Sequence, residues 1–294
     1  MDHSSGKTDK GTVLVIGGGG FYGRYLVTDL LRYTEAEVII ASRKPPKVFA
    51  KQSRVSTAVC DLNDLGALER LTSICDIVVN CAGPFQYLPL NPLRVAIRTR
   101  THYVDIGEDR KFAQEVQALE QEIQSAGVSV LSGVSVAPGM EALFTEMFRP
   151  CFDSLLSVRT FAAPDTRKHR GNAMFHTMLM GVGRPFLQPR KGKPVRVFGW
   201  TEPEWTEFPP PLGKRLTYLV LEMADLDLLP RLFGVQSVEF KAGSEGSNFG
   251  GSHLTNQDGG HLHLRNVTKY FPSGRMGLAA EVSNALSDCN SQRF

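Results

Sequence analysis

The first half of the chain alternates short apolar runs with segments of helical periodicity. The apolar runs predict strands at 13–16, 37–41, 55–60, 76–80, 102–106 and 128–131. Between them, helices are predicted after Gly23 and over 61–73, 88–99 and 110–125, with Asp61 or Asn63 available to cap the second. Strands that are apolar on both faces and alternate with helices are typical of an α/β fold with a doubly wound parallel sheet.

The pattern changes after Pro138-Gly139. Strands are predicted at 157–163, 195–200, 216–223, 237–241 and 261–270, and helices at 171–181 and 225–233. Few helices separate these strands, which favours a second, α+β domain that contains a mixed sheet. We therefore predict a disordered tail at 1–10, a nucleotide-binding domain at 11–138, a second domain at 139–294, and a loop or mobile segment at 242–260.

Composition excludes several classes of protein. The chain has 294 residues, 42% of them hydrophobic, and a net charge of +3, without a basic stripe interleaved with aromatic residues, so nucleic acid is not an expected partner. Five cysteines without a C-x-x-C spacing favour reduced thiols and a cytoplasmic protein. The polar N-terminus and the absence of an 18-residue apolar run predict no secretory signal and no membrane span.

Four consecutive glycines join the first strand to the first helix, and two aromatic residues separate them from a fifth glycine, Gly23. Gly18, Gly20 and Gly23 fit G-x-G-x-x-G, whereas Gly17, Gly20 and Gly23 fit G-x-x-G-x-x-G. Both registers are typical of a Rossmann-type dinucleotide site, where backbone N–H groups and a helix N-terminus receive a pyrophosphate. The alternative is a flexible turn without a ligand. The predicted cofactor-binding residues of this loop are Gly17, Gly18, Gly20, Phe21, Tyr22 and Gly23.

The end of the second strand predicts which dinucleotide is bound. Ser42, Arg43 and Lys44 stand where an acidic residue would favour NAD. A guanidinium can pair bidentately with a 2′-phosphate, so we predict NADP, with NADPH preferred over NADH. The alternative is a solvated basic turn.

Two further turns follow strands and complete the predicted cofactor site. Asp61 and Leu62 come after the third strand, near the expected adenine position, although Asp61 would serve equally as a helix cap. After the fourth strand the small residues Cys81, Ala82, Gly83 and Pro84 would let the nicotinamide half approach the backbone. We interpret Cys81 as a packing residue, and an ordinary βα turn is the alternative for Pro84.

Hydride transfer to a carbonyl or imine also needs a proton donor. We predict Asp105 and Glu108, with His102, as catalytic residues, because they surround the carboxyl end of the fifth strand. The alternative is that Asp105 binds backbone groups and Glu108 caps the next helix. Tyr87 could cover the nicotinamide, and Ser132 and Val136 would lie near it.

The second domain gives weaker signals. Four basic residues could hold an acidic substrate group, namely Arg159, Arg170, His176 and Arg184. His253, His261 and His263 lack a Cys or carboxylate that would complete a metal site, so no metal is predicted.

Four motifs in order, the glycine loop, NCAGPF at 80–85, HYVDIGE at 102–108 and GVSVAPG at 133–139, resemble the saccharopine dehydrogenase-like oxidoreductase family. The resemblance covers roughly 13–143 and implies a nicotinamide cofactor, a substrate domain and a homodimer formed through that domain's sheet. Family members usually run longer and pack closing helices on the Rossmann domain, so a shortened C-terminal segment is expected. The resemblance also implies hydride transfer with a small carbonyl, imine or amino-acid-derived substrate. The alternative is a non-catalytic NADP(H)-binding sensor or scaffold.

Overall fold

The computed structural model describes residues 10–44, 46–163, 172–243, 277–284 and 292–293. Within these residues the chain divides into two compact units. Residues up to Met140 form the first unit together with 172–177, and the remaining residues from Glu141 onward form the second.

The first unit alternates strands and helices as predicted. Its elements are β1 (Thr12–Ile16), α1 (Phe21–Tyr33), β2 (Glu37–Ser42), β3 (Val55–Val59), α2 (Leu65–Thr72), β4 (Ile77–Asn80), α3 (Asn91–Thr99), β5 (His102–Asp105), α4 (Arg110–Gln117), α5 (Glu120–Ala126) and β6 (Val130–Leu131). In the described residues these strands form one parallel sheet of order β3-β2-β1-β4-β5-β6. The predicted doubly wound sheet is confirmed.

The strand order reverses at β1. The chain moves outward through β2 and β3, then returns to place β4 on the other side of β1. Ligands of such sheets bind in the crevice beyond the carboxyl ends of the strands at this switch point. The glycine loop and the turn after β4 both begin there, which brings two of the predicted cofactor segments together.

Both faces of β1 are buried. Val13 and Val15 pack into one apolar cluster with Val27 and Ile40, whereas Leu14 and Ile16 pack into the cluster on the opposite face. Successive side chains of a strand point to opposite faces, so an uninterrupted apolar run fits a strand covered on both sides.

Two predicted helices of this unit differ in detail. The N-cap of α2 is Asp64, whose carboxylate accepts a hydrogen bond from the Ala67 N–H at 2.9 Å, so the predicted cap at Asp61 or Asn63 is wrong. The predicted helix over 110–125 is broken at Ala118 and Leu119 into α4 and α5.

The second unit contains α6 (Glu141–Phe148), β7 (Leu155–Ala163), the last residues of α7 (Asn172–Met180), β8 (Pro185–Arg190), β9 (Lys193–Phe198), β10 (Thr201–Phe208), β11 (Gly213–Leu219), α8 (Asp225–Phe233), β12 (Ser237–Gly243), β13 (Gly277–Asn284) and β14 (Gln292–Arg293). Its larger sheet, as far as the structure describes it, has the order β10-β11-β12-β7-β13-β14. Only the β12–β7 pair among these is parallel, so the predicted mixed sheet is confirmed.

The sequence pattern does not predict β8, β10, β13 or β14 of this unit. β8 pairs with β9 in an antiparallel ribbon, and β10 forms an edge of the larger sheet. β8 contains two prolines and β10 carries three glutamates, and neither shows the apolar alternation that predicts a strand.

Some predictions fall outside the described residues. These are the tail at 1–9, Arg170, the loop from 244 to 260, and the strand over 261–270 with its histidines. Among the described residues, no helix has both the length and the apolar character needed to cross a membrane.

Candidate functional site

The glycine loop leaves the carboxyl end of β1 through Gly17. This residue has a φ of +76°, which a side chain would strain. Its N–H donates to the Ala41 carbonyl at 2.9 Å, and its carbonyl accepts from the Gly20 N–H at 2.8 Å. A Cβ on Gly17 would lie 2.8 Å from the Ala82 backbone nitrogen. Gly17 therefore makes the tight turn and allows the loop to touch the turn after β4.

The other glycines of the loop differ in burial and in the atoms that a side chain would meet. Gly20 is the exposed N-cap residue of α1, and Gly23 is buried where a Cβ would lie 2.6 Å from the Gly18 Cα. Gly18 is buried against the Ile40 side chain. The structure therefore favours the register Gly17-x-x-Gly20-x-x-Gly23. Gly17 makes the tight turn, Gly20 leaves the helix start open, and Gly23 allows the helix to approach the loop closely.

The start of α1 fits an anion. Its first turn contains no acidic residue, and no side chain caps its N–H groups. Phe21 is half-buried and Tyr22 is exposed, and both lie in this first turn. The N-terminus of a 13-residue helix carries a partial positive charge. The cradle left by the glycines therefore suits the pyrophosphate of a dinucleotide.

Basic side chains lie beside this loop at the end of β2. β1 pairs with β2 so that Ile16 lies opposite Ala41, and Arg43 follows two residues later. The Arg43 and Lys44 side chains are exposed. The Ser42 hydroxyl is buried and has no hydrogen-bond partner in the described part of the chain. The segment predicted to bind the 2′-phosphate therefore follows the strand that pairs with β1 next to the glycine loop.

Asp61 follows β3 in a local turn. Its carboxylate accepts hydrogen bonds from the Asn63 N–H at 2.8 Å and from Asn63 Nδ2 at 3.1 Å. The Leu62 carbonyl accepts from Asn91 Nδ2 at 2.9 Å, which ties this turn to α3. Because Asp64 is the helix cap, the exposed Asp61 carboxylate is not needed for α2.

The turn after β4 is held by a buried side chain. Asn80 is fully buried, and its Oδ1 accepts from the Ala82 N–H at 3.1 Å while its Nδ2 donates to the Tyr103 hydroxyl at 3.2 Å. Gly83 is exposed and Pro84 half-buried. Burial, with a smaller effect of the Asp105 charge, raises the pKa of Cys81 to about 12. Cys81 therefore stays a thiol at neutral pH, as a packing residue does.

Asp105 ends β5 and is fully buried. Its Oδ1 accepts from the Gly107 N–H at 2.8 Å, from the Gly133 N–H at 3.0 Å and from the Ser132 hydroxyl at 3.0 Å. Burial raises the pKa of Asp105, and the bonds from these three residues oppose that rise. This geometry matches the alternative in which Asp105 binds backbone groups, since it joins the end of β5 to the loop after β6.

Glu108 is half-buried just beyond β5. Burial is the largest effect on its carboxyl group and raises the pKa, while a hydrogen bond from the Gln86 side chain lowers it. Glu108 does not cap α4, because Asp109 does so by accepting from the Phe112 N–H at 2.8 Å. A half-buried carboxyl with a raised pKa keeps its proton to a higher pH than an exposed one, which is a property of general acids.

The predicted position of His102 is wrong. His102 is the first residue of β5, so it lies at the amino edge of the sheet, three residues before Asp105. Its ring is exposed, and Nδ1 accepts from the Ser129 N–H at 3.0 Å. A rise of about 3.3 Å per residue separates it from the carboxyl edge by about 10 Å.

A comparison with models of protein families agrees with this geometry. Residues 13–131 match the model of a family described as the saccharopine dehydrogenase NADP binding domain. The first unit therefore resembles a saccharopine dehydrogenase NADP-binding domain. The matched residues run from β1 to β6 and include each turn described above.

Curated relatives agree with this assignment. The chain is 27% identical over 129 residues to a saccharopine dehydrogenase [NADP(+), L-glutamate-forming] of Saccharomyces cerevisiae, across 43% of this chain and 28% of the relative. It is 22% identical over 123 residues to a probable mitochondrial saccharopine dehydrogenase-like oxidoreductase of Arabidopsis thaliana, across 36% and 27%. The matched segments thus span little more than a quarter of each relative.

A solved structure supports the fold beyond the NADP-binding domain. Apo saccharopine dehydrogenase (L-Glu forming) from Saccharomyces cerevisiae superimposes with a TM-score of 0.61 at 20% identity. The likeness covers 79% of this chain and 55% of the yeast chain. It extends past the 13–131 match and therefore includes part of the second unit.

Outside the NADP-binding domain, Arg159 is already paired. Its Nε donates to Glu239 at 2.8 Å and its Nη2 to Glu204 at 2.5 Å, while Lys241 Nζ lies 2.7 Å from the same Glu204 carboxylate. Burial acts to raise the pKa of Glu204, but the bonds from Lys241 and Arg159 outweigh it and lower the pKa. The predicted substrate role of Arg159 is weakened because its guanidinium holds two protein carboxylates.

Two other basic residues were predicted to hold a substrate, Arg184 and His176, and His176 lies in the first unit. Arg184 is exposed, and His176 is exposed with its ring edge-to-face against Tyr87 at 5.8 Å between centroids. Within the described residues, no group of three or more His, Cys, Asp or Glu side chains is arranged to hold a metal ion.

Sequence reasoning missed Gln86, which bonds to Glu108, and Thr177, which bonds to Gln86. The Thr177 hydroxyl donates to Gln86 Oε1 at 3.2 Å, across 91 positions of sequence. Gln86 directly follows the AGPF motif, and that position was the one local signal that could have singled it out.

Proposed function

We propose that this chain is an NADP(H)-dependent oxidoreductase that transfers hydride to or from a small carbonyl, imine or amino-acid-derived substrate. The observation that carries the proposal is the uncapped start of α1, framed by Gly17, Gly20 and Gly23 inside a domain of NADP-binding type. The named relatives are oxidoreductases, which supports enzymatic activity of the same kind.

Each cofactor segment has a part in binding. The positive end of α1, at Phe21 and Tyr22, receives the pyrophosphate. Gly20 leaves this helix start open, and Gly17, Gly18 and Gly23 keep the loop close to the sheet. Arg43, with Lys44 and Ser42, receives the 2′-phosphate, which gives the preference for NADPH over NADH. Asp61 and Leu62 border the adenine, and Cys81, Ala82, Gly83 and Pro84 border the nicotinamide.

A bound nicotinamide supplies the hydride, and the protein must supply or take up one proton. Glu108 is our first choice for that proton, because it is half-buried at the carboxyl edge and its pKa is raised. Asp105 is retained as a second choice, although its Oδ1 already accepts from Gly107, Gly133 and Ser132. His102 is not retained, because it lies at the opposite edge of the sheet.

Two further parts of the proposal concern the whole protein. We propose a cytoplasmic location and a homodimer formed through the sheet of the second unit. Sedimentation velocity at micromolar concentration checks the dimer, and a monomer there would contradict it.

Arg43→Asp tests the cofactor proposal. A charge-assisted bidentate pair contributes about 1.5–3 kcal/mol, so the variant should bind NADPH about 10- to 150-fold more weakly. NADH affinity should change little, because NADH lacks the 2′-phosphate. Titration of NADPH and NADH fluorescence measures both affinities.

Arg32→Asp is the matched control. Arg32 lies in the last turn of α1, about 18 Å along the helix from Gly20, and the substitution changes the net charge equally. It should leave both affinities near those of the parent. If the parent binds no NADPH, or if Arg43→Asp binds it as tightly as the parent, the proposal is contradicted.

A further inference from the structure

One face of α7 packs on the turn that follows β4. A Cβ on Gly83 would lie 3.3 Å from the Cβ of Ala173. His176 meets the Tyr87 ring, and Thr177 bonds to Gln86. Residues at i, i+3 and i+4 share one helix face, so Ala173, His176 and Thr177 form a continuous contact with this turn. All of these residues belong to the first unit.

Thr177 fixes which way the Gln86 amide points. The Thr177 hydroxyl donates to Gln86 Oε1 at 3.2 Å, so the amide oxygen is turned toward α7. The amide nitrogen, which can only donate, is then directed away from Thr177. Thr177 is buried, so water does not readily replace this bond.

Gln86 in turn bonds to Glu108. The two segments are in contact, since a Cβ on Gly107 would lie 3.0 Å from the Phe85 Cδ1. Among the described residues, Gln86 is the one residue whose side chain is seen to hydrogen-bond the Glu108 carboxyl. A carboxylate has two acceptor oxygens, and a single amide donor engages one of them. The Glu108 N–H also bonds to this carboxyl, so a backbone donor and the Gln86 side chain together hold the group.

We propose that Gln86 is a positioning residue for Glu108 and that Thr177 sets the orientation in which Gln86 does so. The chain Thr177–Gln86–Glu108 fixes the Glu108 carboxyl beyond the end of β5, where it would exchange a proton with the carbonyl oxygen or imine nitrogen of a substrate. This inference rests on the proposed function of Glu108. It adds a connection from α7, which begins beyond the matched family segment, to the proton-carrying group.

The test is the titration of Glu108 itself. Its carboxyl carbon is monitored by NMR as the pH changes, in protein labelled with ¹³C-glutamate. The resonance is assigned by its absence in Glu108→Gln. In Gln86→Leu, loss of the amide donor should shift the titration midpoint of Glu108 upward, because that donor favours the charged form. Gln117→Leu is the matched control, since Gln117 is exposed at the end of α4, and it should leave the midpoint unchanged.

Thr177 gives a second, milder measurement. Thr177→Val removes the hydroxyl while keeping the shape, and should shift the midpoint in the same direction as Gln86→Leu by a smaller amount. Thr177→Ser keeps the hydroxyl and should restore the parent midpoint. A purely structural role for Thr177 would not distinguish the two variants in this way.

An unchanged Glu108 midpoint in both Gln86→Leu and Thr177→Val would overturn the inference. This titration needs no cofactor, whereas the proposed function fails if NADPH does not bind. The two failures are therefore separate observations on the same protein.

Discussion

Gly23 shows how a single atom decides the geometry of the NADP-binding domain. A Cβ there would collide with the Gly17 carbonyl oxygen and lie 2.6 Å from the Gly18 Cα. These are backbone atoms, so no side chain can move aside to make room. The sequence predicted a glycine requirement at this position, and the structure supplies its physical reason.

Gly23→Ala should therefore destabilise the first unit by about 1–3 kcal/mol, as overpacking does. Gly66→Ala is the matched control, because Gly66 is exposed in α2 and its added Cβ would meet only the Arg70 Nη1 at 3.4 Å and the Asp64 Oδ1 at 3.6 Å. Alanine in a helix should leave stability unchanged or raise it by up to about 1 kcal/mol. Thermal unfolding followed by circular dichroism compares them, and equal effects would contradict the packing argument.

The candidate site was only partly predictable at this scale. Arg43 and the glycines were identified because their spacing from one strand is local. His102 was misplaced because the sequence does not state which end of a short strand its polar residue occupies. Gln86 and Thr177 were missed because their contact joins positions 91 residues apart.

Element boundaries depend on caps that compete over a few positions. Asp61, Asn63 and Asp64 all precede α2, and each has a side chain able to accept from a helix N–H. The structure resolves the competition, because the Asp64 carboxylate accepts from the Ala67 N–H in the first turn. Asp61 instead accepts from Asn63, which leaves it outside the helix.

Asp64→Ala should lower the stability of the first unit by about 1 kcal/mol, because the Ala67 N–H loses its acceptor. Asn63→Ala, one residue away and exposed, should change stability by less than about 0.5 kcal/mol. Urea unfolding of both variants measures the difference. A larger loss in Asn63→Ala would contradict the assigned cap.

The central strands β1 and β2 were predictable because most of their residues are apolar and buried. β10 was not, because its Glu204 is stabilised by Arg159 and Lys241, which lie 45 and 37 positions away. A glutamate-rich segment becomes a strand here through partners that only the completed sheet provides.

For the whole molecule, burial of charge links folding to pH. Glu141 begins α6 with 3% of its surface exposed. Burial, and next the charge of Asp225 on α8, raise the pKa of Glu141 well above its usual range. The folded chain therefore holds a proton that the unfolded chain releases above about pH 4.3.

This contribution to stability is complete below the unfolded pKa and is lost as pH rises toward the folded pKa. Glu141→Gln cannot lose a proton, so its stability relative to the parent should grow with pH, by up to about 1.4 kcal/mol per pH unit. Melting temperatures of both proteins at pH 5 and pH 8 check this. Glu146→Gln, on the exposed side of α6, should show no such growth, and parallel pH curves for Glu141→Gln and the parent would contradict the argument.

The charge pairs on the larger sheet have a consequence for errors in strand pairing. β12 and β7 run parallel with Glu239 opposite Arg159 and Lys241 opposite Phe161. A slip of one residue would turn the apolar side chains of β12 outward, so the loss of their burial is enough to disfavour that register. A slip of two residues keeps that side inward, but in one direction it places Lys241 opposite Arg159, so like charges face each other. The alternation of glutamate and lysine thus excludes a misaligned sheet that the apolar pattern would tolerate.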